Sequence, residues 1–367
     1  MTIPSSIPAL RASLNAAFLE RRREVDGLLV ALLAEEHVLL LGPPGTAKSA
    51  LAQALAEALD GSYFQRLLTP FSVPEELFGP FSLSALQADT YERKIEGYLP
   101  TADVAFLDEC FKANSAILNA LLTALNERAF DQGANRISIP LKLTIGASNE
   151  LPQDDILAAL YDRFSVRFWV EPVKSRDSRR ALIAMSGAPV AQAKVSAADL
   201  QAARDATRAV VLPPAVVDAL LDLHEALGRE GTVISDRRLR KCVKLVQARA
   251  ALDGRDEAVL RDLEILADSL WQKPEDRAGI YGQILTVAAP NRAAAQAIVD
   301  AATEAISALN LANLTAANIG DAAKKLREIR AMAAEIRGMG DDVTDLADVV
   351  AGYAAEITRA TTAALGG

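Results

Sequence analysis

The sequence predicts an α/β domain with a parallel sheet, followed by an all-helical domain and a helical C-terminal region. Three observations support this prediction. Short apolar runs alternate with helical patterns in the first half of the chain, β-like runs disappear beyond about Met185, and Ala and Leu dominate a composition with only 5% aromatic residues. Strands that alternate with helices are typical of a parallel sheet, whose polar strand ends collect at one edge and hold the ligand.

The N-terminal part contains helical patterns, a strand, a glycine-containing loop and another helix, in that order. Apolar residues recur at helical spacing from Ile7 to about Ala34, and Val38 to Leu41 then forms a short continuous apolar run. Such a run is typical of a strand buried in a parallel sheet. It ends in Gly-Pro-Pro-Gly, and helical spacing returns from Ser49 to Leu59.

Two further apolar runs each end in polar residues. The run from Val104 to Leu107 precedes Asp108-Glu109, and the run from Leu143 to Ala147 precedes Ser148-Asn149. A helical stretch at 115–127 separates them. Because the carboxyl ends of parallel strands lie at one edge of a sheet, we expect these polar residues to meet there.

The rest of the chain is predicted to be helical. We expect an α/β nucleotide-binding domain at 1–185, a helical domain at 186–273 and a helical C-terminal domain at 274–367. The last domain contains apolar residues at the spacing of a packed helix seam: Val343, Leu346, Val350, Tyr353 and Ile357. This run is shorter than three to four heptads, which favours an intramolecular hairpin or small bundle over an intermolecular coiled coil.

Charge and cysteine content exclude several classes of protein. The 39 Lys and Arg against 48 Asp and Glu give a formal net charge of -9, which disfavours general nucleic-acid binding but leaves room for a local basic channel. Cys110 and Cys242 have neither CxxC spacing nor nearby histidines, so we expect reduced packing residues and no zinc site. We expect a cytoplasmic protein without export signal or membrane span.

The segment Gly42-Pro-Pro-Gly-Thr-Ala-Lys-Ser49 has the composition and position of a phosphate-binding loop. Backbone amides of the loop and of the following helix can surround phosphate groups. Lys48 can reach the terminal phosphates, and the Ser49 hydroxyl can bind magnesium. The alternative, a Gly-Pro turn with a surface lysine, is disfavoured because a strand precedes the segment and a helix follows it.

A phosphate loop alone could serve a kinase, a GTPase or a transporter, and Asp108-Glu109 decides among these. Asp108 can hold magnesium, while Glu109 can polarise the attacking water. Asn149 fits a polar group that contacts the terminal phosphate or orients the water; the alternative is a turn-forming asparagine. Together these residues predict a hydrolase that acts on a nucleoside triphosphate bound to Mg²⁺.

Two arginines are candidates for stabilising charge during hydrolysis. Arg163 follows a short helix and could project into the active site of a neighbouring subunit as an arginine finger. Arg237 opens a helix of the second domain and could fold back over the nucleotide of its own subunit, with Arg238 an equal candidate for that role. In the alternative interpretation, these arginines pair with the adjacent Asp162 or Asp236, and such exposed pairs contribute little.

With these residues in place, the chain resembles the MoxR family of AAA+ ATPases, and most closely its RavA-like branch. The resemblance runs from about Glu20 to Trp271, and Ala47 before the lysine is usual in this family. The matching segments are Leu41–Ser49, Phe71–Pro80, Gly97–Pro100, Phe106–Glu109, Ile117–Leu122, Asn126–Arg128, Ala147–Pro152, Leu160–Arg163 and Ser235–Arg238.

The resemblance implies an AAA+ P-loop domain, an all-α lid domain and roles for individual residues. Walker A would be Gly42–Ser49, Walker B Phe106–Glu109, sensor 1 Asn149, the arginine finger Arg163 and sensor 2 Arg237. It also implies a helix-2 insert at Phe71–Tyr98 and a hairpin at Phe130–Leu141, which usually face the pore of a ring. The expected nucleotide contacts are Gly42, Pro43, Pro44, Gly45, Thr46, Ala47, Lys48, Ser49, Ala50 and Asp108, with Ser49 and Asp108 also binding the metal.

The resemblance further implies a homohexamer that hydrolyses ATP to remodel or assemble a partner protein, often beside a protein with a von Willebrand factor A domain. RavA-like proteins typically continue into a longer tail with a β-rich partner-binding module, whereas about ninety helical residues follow Trp271 here. Their specific partners are therefore not transferred. A nucleic-acid translocase and a nucleotide-gated scaffold remain the alternative functions.

Overall fold

The structure is a computed structural model that describes residues 3–133, 135–152, 155–185, 187, 189–309, 319–340 and 343–365. It contains two compact units, residues 1–280 and 281–367. The strands are β1 (His37–Leu41), β2 (Tyr63–Leu67), β3 (Val104–Asp108), β4 (Ala129–Gln132), β5 (Asn135–Ser138), β6 (Leu143–Ser148) and β7 (Phe164–Trp169).

Helices make up most of the remaining structure. They are α1 (Ser6–Ala17), α2 (Arg22–Ala34), α3 (Lys48–Ala58), α4 (Pro74–Phe78), α5 (Leu83–Gln87), α6 (Ser115–Glu127), α7 (Asp155–Arg163), α8 (Arg176–Ala184), α9 (Ala197–Arg208), α10 (Pro214–Arg229), α11 (Asp236–Leu252), α12 (Asp276–Ala288), α13 (Pro290–Ser307), α14 (Ile319–Arg337) and α15 (Thr344–Leu365). Short 3-10 helices lie at Leu99–Thr101, Cys110–Lys112 and Leu260–Asp268.

The predicted parallel sheet with flanking helices is confirmed. Five strands pair in the order β2-β3-β6-β1-β7, and every pairing is parallel. All residues of β1 and β6 are buried, as expected for central strands covered on both faces. The loops that leave β1, β3 and β6 consequently begin at the same edge of the sheet, which we call the carboxyl edge.

One difference from the sequence pattern lies near the N-terminus. The helical spacing from Ile7 to about Ala34 does not indicate a break, whereas the structure divides this region into α1 and α2, between which Glu20 has a φ of 56°. Residues Glu24 to Ala34 of α2 are all buried. From Gly27 to Ala34 the helix is apolar on every side, as expected for a helix inside a protein, and α2 packs between the sheet and the helices α9 and α11.

The helices after β7 are tied to the sheet domain by an arginine as well as by packing. Arg204 of α9 is 7% exposed, and it donates hydrogen bonds to the carbonyl oxygens of Leu32 (3.1 Å) and Lys142 (3.2 Å). Burial lowers the pKa of Arg204 to about 10, although the nearby Glu35 opposes that shift. The predicted boundary at residues 185 and 186 remains a prediction.

The C-terminal unit has a core of its own. Helices α13, α14 and α15 pack against one another, and Val343, Leu346, Val350 and Ile357 lie buried among them, with Tyr353 packed at the side. The residues of the predicted helix seam thus pack against other helices of the same chain. No helix in the part of the chain that the structure describes has the length and apolar character to cross a membrane. Cys110 and Cys242 are both free and buried, as predicted.

Candidate active site

The phosphate loop joins β1 to α3 and has an unusual backbone conformation. Gly42, Gly45 and Ala47 have φ angles of 132°, 78° and 65°, which residues with side chains seldom adopt. A Cβ atom at Gly42 would lie 2.3 Å from the carbonyl oxygen of Val170, so the position requires glycine. Ala47 is the N-cap of α3, whose first amides have no intrahelical acceptor and can donate to an anion.

Lys48 lies inside this loop. It is 9% exposed, and its Nζ donates to the carbonyl oxygens of Gly42 at 2.7 Å and Pro43 at 2.9 Å. Burial lowers the pKa of Lys48, and the carboxylates of Asp108 and Glu109 partly oppose that shift. Because β1 and β3 end at the carboxyl edge of one parallel sheet, the loop after Leu41 and the carboxylates of Asp108 and Glu109 lie at the same edge, as the sequence predicts.

Glu109 has two carboxylate oxygens in different surroundings. Oε1 accepts a hydrogen bond from Nδ2 of Asn149 at 2.7 Å. Oε2 is buried without a hydrogen-bond partner in the described structure, although Nζ of Lys112 lies 3.4 Å away at ion-pair distance. The amide thus fixes the side chain and leaves one oxygen able to accept a hydrogen bond from water.

Ser49 and Asp108 fit a magnesium-nucleotide complex by the chemistry of their donor atoms. Ser49 lies in the first turn of α3, and Asp108 ends β3 at the same edge of the sheet. Among the residues that the structure describes, no three or more His, Cys, Asp and Glu side chains form a group that could hold a metal. Magnesium in nucleotide sites needs only one or two protein ligands, since phosphates and water complete its shell.

Arg163 lies at the opposite edge of the sheet from the phosphate loop. It ends α7 immediately before β7, whose first residue, Phe164, pairs with His37 at the start of β1. The phosphate loop begins at Gly42, five residues after His37 along β1. At the rise of a strand, the two edges of the sheet are about 16 Å apart. Arg163 therefore lies far from the phosphate loop of its own chain.

Arg237 occupies the same edge as Arg163, which differs from the expectation that it folds over the nucleotide of its own subunit. It forms an ion pair with Asp162, beside Arg163 and not with its sequence neighbour Asp236. The physical reason is the packing of α11 against the buried helix α2, which directs the first turn of α11 toward the start of β7.

Arg238 has a different environment from Arg237. It is 6% exposed and donates hydrogen bonds to the carbonyl oxygens of Phe164 (3.3 Å) and Ser269. The side chain of Arg237 is 48% exposed. Of these two arginines, only Arg237 is therefore accessible to an anion from outside the chain.

A cavity of about 630 Å³ adjoins Arg163 and Arg237. Its described lining includes six cationic side chains, Arg128, Arg163, Arg237, Arg240, Lys241 and Lys244, and four carboxylates, Glu35, Glu36, Glu127 and Asp236. Glu36 is already neutralised by Lys241, whose Nζ lies 3.0 Å from Oε2. Burial and the neighbouring Arg237 both lower the pKa of Arg163. An incoming anion would relieve this repulsion between cations.

Two residues near the site have no signal in the sequence. Lys112 approaches Glu109 only because a 3-10 turn follows β3. Arg21 is 7% exposed and donates to the carbonyl oxygens of Glu171 at 2.7 Å and Thr46 at 3.5 Å. Arg21 thus links the backbone of the phosphate loop at Thr46 to the segment after β7 at Glu171. In the sequence it is the first of three consecutive arginines, and nothing there distinguishes it from the other two.

Comparison with known proteins gives matches to two family models. Residues 6–207 match the model of the MoxR domain found in MoxR-vWA-beta-propeller ternary systems, and residues 215–284 match an AAA lid domain. Two uncharacterized proteins of Methanocaldococcus jannaschii are each 42% identical to this chain. One alignment covers 75% of this chain and 72% of the relative, and the other covers 73% and 72%.

More distant relatives have descriptive names. Chaperone MoxR1 of Mycobacterium tuberculosis is 25% identical over 67% of this chain and 69% of its own length. A crystal structure from Cytophaga hutchinsonii, described as that of a candidate ATPase, superposes with a TM-score of 0.63 and 19% identity, covering 77% of this chain and 93% of that one. At this identity the superposition supports the fold alone.

Proposed function

The chain belongs to the MoxR family of AAA+ ATPases, and from this membership we propose that it hydrolyses magnesium-bound ATP within a homohexameric ring. We further propose that hydrolysis drives remodelling or assembly of a partner protein. The observation that carries the proposal is the separation of charged groups between the two edges of the sheet. Lys48, Asp108, Glu109 and Asn149 lie at the carboxyl edge, while Arg163 and Arg237 lie at the other.

This separation supports catalysis across a contact between subunits. Phosphoryl transfer to water develops negative charge on the transferred group, and an arginine that contacts this group stabilises it. Arg163 and Arg237 lie beyond reach of the phosphate loop in their own chain, but both line an open, cation-rich cavity. A neighbouring subunit whose carboxyl edge faces this cavity would receive both guanidinium groups.

The remaining roles follow from the contacts at the carboxyl edge. The amides of the phosphate loop and Lys48 bind the phosphates, and Asn149 holds Glu109 so that its second oxygen accepts a proton from water. Ser49 and Asp108 would hold magnesium, which supplies positive charge to the phosphate oxygens. Arg21 keeps the loop in place through the carbonyl groups of Thr46 and Glu171.

Mixing two inactive variants tests the proposal. Glu109→Gln should bind ATP and assemble without turnover, and Arg163→Ala should keep its ATP affinity while losing turnover. In mixed rings, a Glu109→Gln subunit can supply Arg163 to a neighbour that has an intact Glu109. We therefore expect mixtures to regain steady-state ATP turnover, with a maximum at intermediate ratios.

A matched control separates this effect from simple stabilisation of the ring. A double variant carries both substitutions on one chain. Its mixture with Glu109→Gln contains no intact Glu109, and its mixture with Arg163→Ala contains no intact Arg163. Neither mixture should therefore regain activity. Absence of recovery at any ratio of the single variants, with ring formation verified by analytical ultracentrifugation, would count against catalysis between subunits.

The partner is proposed from the family description. MoxR domains of the matched model occur in ternary systems with a vWA protein and a β-propeller protein. We propose a von Willebrand factor A domain protein as a partner of this chain. Co-purification of the ATP-bound Glu109→Gln protein with such a protein tests this assignment, and equal recovery with the Lys48→Met protein would contradict dependence on ATP.

A further inference from the structure

The segment between α4 and the 3-10 turn at Leu99 forms a closed, exposed lobe. We call residues 81–96 the insert tip. It contains α5, and its ends meet through a bridge between Phe81 and Arg93 and a hydrogen bond from the amide of Ser82 to the carbonyl oxygen of Glu92 (2.8 Å). None of the residues of α5 is buried.

The insert tip is held firmly at its base. Arg93 donates to Oε1 of Glu75 (3.1 Å) and to the carbonyl oxygen of Gly79 (2.8 Å), and its guanidinium group lies 4.0 Å from the centre of the Phe81 ring. Gln132 of the hairpin β4–β5 donates to the carbonyl oxygen of Arg93 at 3.2 Å. These contacts fix the backbone from which the exposed side chains project.

A second contact with the hairpin fixes the backbone at Tyr91. A Cβ atom on Gly133 would lie 2.4 Å from the carbonyl oxygen of Tyr91, so the backbone of the hairpin contacts the backbone of the insert tip at that point. Beneath the tip, Phe78 and Phe130 stack with ring centres 5.2 Å apart. Ordering of the tip therefore costs little further entropy when a partner binds.

The insert tip exposes large apolar side chains on this fixed backbone. Leu83 is 75% exposed, Tyr91 68%, Leu86 39% and Phe81 38%. Leu83 and Leu86 lie three residues apart on α5 and so share one face of the helix. Clustered exposed apolar groups surrounded by polar residues are typical of binding surfaces.

The charges of the insert tip identify the class of partner. Asp89, Glu92 and Glu96 are exposed, and none of them has an ion-pair partner among the described residues. Lys94 is the exposed cation of the tip, since Arg93 is engaged with Glu75 and Phe81. An acidic surface attracts cationic partners and repels the phosphates of nucleic acids and anionic membranes.

We propose that the insert tip binds a partner polypeptide segment in which lysine or arginine residues are interspersed with apolar side chains. The apolar residues would contact Leu83, Leu86 and Tyr91, and the cations would approach Asp89, Glu92 and Glu96. This inference rests on the proposed function, since it names the chemistry of the remodelled partner.

The root of the insert provides a connection to the site of hydrolysis. The amide of Leu68, just before the insert, donates to the carbonyl oxygen of Asp108 at 2.9 Å. Asn114, the N-cap of α6, donates through Nδ2 to the carbonyl oxygen of Ser72 at 2.6 Å. A movement of the carboxylate-bearing strand end would therefore be transmitted to the start of the insert.

Peptide binding tests the proposal with the full-length Glu109→Gln protein in the presence of ATP. The probe is a fluorescein-labelled synthetic peptide with lysines interspersed among leucine and phenylalanine. Its counterparts carry glutamate for lysine, or serine for the apolar residues. Fluorescence anisotropy should show binding of the first peptide about tenfold tighter than binding of either counterpart, because both chemistries are required.

Variants of the insert tip test its location. Leu83→Ser with Tyr91→Ser should weaken binding of the lysine peptide about tenfold. Asp89→Lys with Glu92→Lys should remove the preference for lysine over glutamate without altering apolar packing. The matched control is Val217→Ser with Leu221→Ser on α10, where the side chains are 40% and 48% exposed; it should bind the peptide as the parent protein does.

Several outcomes would overturn the inference. Equal binding of the lysine and glutamate peptides would contradict the proposed preference for a cationic partner. Tip variants that bind the peptide as the α10 control does would show that it binds elsewhere on the protein. A change in oligomeric mass on Asp89→Lys with Glu92→Lys would assign the surface to a second copy. ATP turnover by the wild-type protein separates the two proposals: turnover without peptide discrimination overturns only this inference, and discrimination without turnover overturns only the proposed hydrolysis.

Discussion

At the scale of single residues, the carboxylate of Glu109 illustrates how one hydrogen bond can prepare a general base. Nδ2 of Asn149 occupies Oε1, while Oε2 remains buried and without a hydrogen bond in the described structure. A carboxylate held in this way keeps one oxygen without a hydrogen bond, and that oxygen can accept one from a water molecule. Asn149 would then act through Glu109 in addition to any contact with the terminal phosphate.

Replacing Asn149 with alanine should lower ATP turnover about 10- to 100-fold with little change in ATP affinity, because the base loses its orientation. Steady-state turnover and equilibrium binding of ATP measure the two effects. Asn119→Ala, at an exposed position of α6, is the matched control and should leave both unchanged. Unaltered turnover in Asn149→Ala would remove this role for the amide.

His37 is a buried residue whose effect on stability depends on pH. Its Nε2 lies 3.0 Å from the carbonyl oxygen of Leu125, and its Nδ1 accepts a hydrogen bond from the amide of Thr144 at 3.2 Å. The ring is therefore neutral, with the proton on Nε2. Burial lowers the pKa of His37 to about 4, whereas the same ring titrates near pH 6.5 in an unfolded chain.

The unfolded state therefore binds more protons than the folded state between about pH 6.5 and 4, and stability falls as the pH falls through this window. Between about pH 7.5 and 5, His37 should account for a loss of about 2 kcal/mol in the free energy of unfolding. Urea unfolding at both pH values measures this loss. His37→Gln should reduce the pH dependence, whereas His224→Gln should retain it; identical pH dependence in the two variants would contradict the assignment.

At the scale of elements, the phosphate loop combines two separate demands on its glycines. Gly42 and Gly45 both have positive φ angles, but only Gly42 lies against another part of the chain, the carbonyl oxygen of Val170. Substitution of Gly45 therefore measures the free-energy cost of the unfavourable backbone conformation alone, whereas substitution of Gly42 adds the cost of a steric clash.

Gly42→Ala should lower the free energy of unfolding by about 3 kcal/mol or more, since the added methyl group adds a clash to the backbone strain. Gly45→Ala should cost only about 1 kcal/mol because no atom lies within contact distance of the new Cβ. Unfolding in denaturant without nucleotide compares the two variants. Equal losses would show that the contact with Val170 does not determine the choice of glycine.

The buried helix α2 explains why the second group of helices is positioned as it is. Its residues from Glu24 to Ala34 are inaccessible on every side, because the sheet covers one face while α9 and α11 cover another. The start of α11 is consequently directed toward the start of β7, away from the phosphate loop. The sequence Ser-Asp-Arg-Arg at the start of α11 does not reveal this direction.

At the scale of the whole molecule, residues 1–280 and 281–367 form separate compact units. The C-terminal unit buries Ile329, Ile336, Val350 and Ile357 in a core shared by α13, α14 and α15. Each unit thus has apolar residues that it buries within itself, and each can have its own unfolding transition.

Ile357→Ala should lower the free energy of unfolding of the C-terminal unit by about 2–5 kcal/mol, because it leaves a cavity at a fully buried position. Calorimetry of the full chain should show the shift in one transition. Val349→Ala on the same helix, at a side chain that is 44% exposed, should cost far less. Equal effects of the two substitutions would mean that the seam is not the core of this unit.

Much of the fold and of the candidate site follows from local sequence. The apolar runs before Gly42, Asp108 and Ser148 predict buried strands because side chains that face helices on both sides of a sheet must be apolar. The polar residues at the ends of these strands predict one site because parallel strands end at one edge. The ends of β1 and β3, which lead into the loop with Lys48 and into Asp108-Glu109, lie at one edge of the sheet, in agreement with that prediction.

The sequence by itself determined the three buried strands β1, β3 and β6, the phosphate loop, the acidic strand end and the helical character of the remainder, because each depends on residues close together in the chain. The edge strands β2 and β7 and the order of the five strands in the sheet depend on pairing between distant segments. Tertiary structure alone decided that Arg237 joins Arg163 at the far edge, that Lys112 approaches Glu109, and that the insert tip stands exposed on the hairpin. These arrangements depend on how distant elements pack, and helix periodicity specifies which face of a helix is buried but not what covers it.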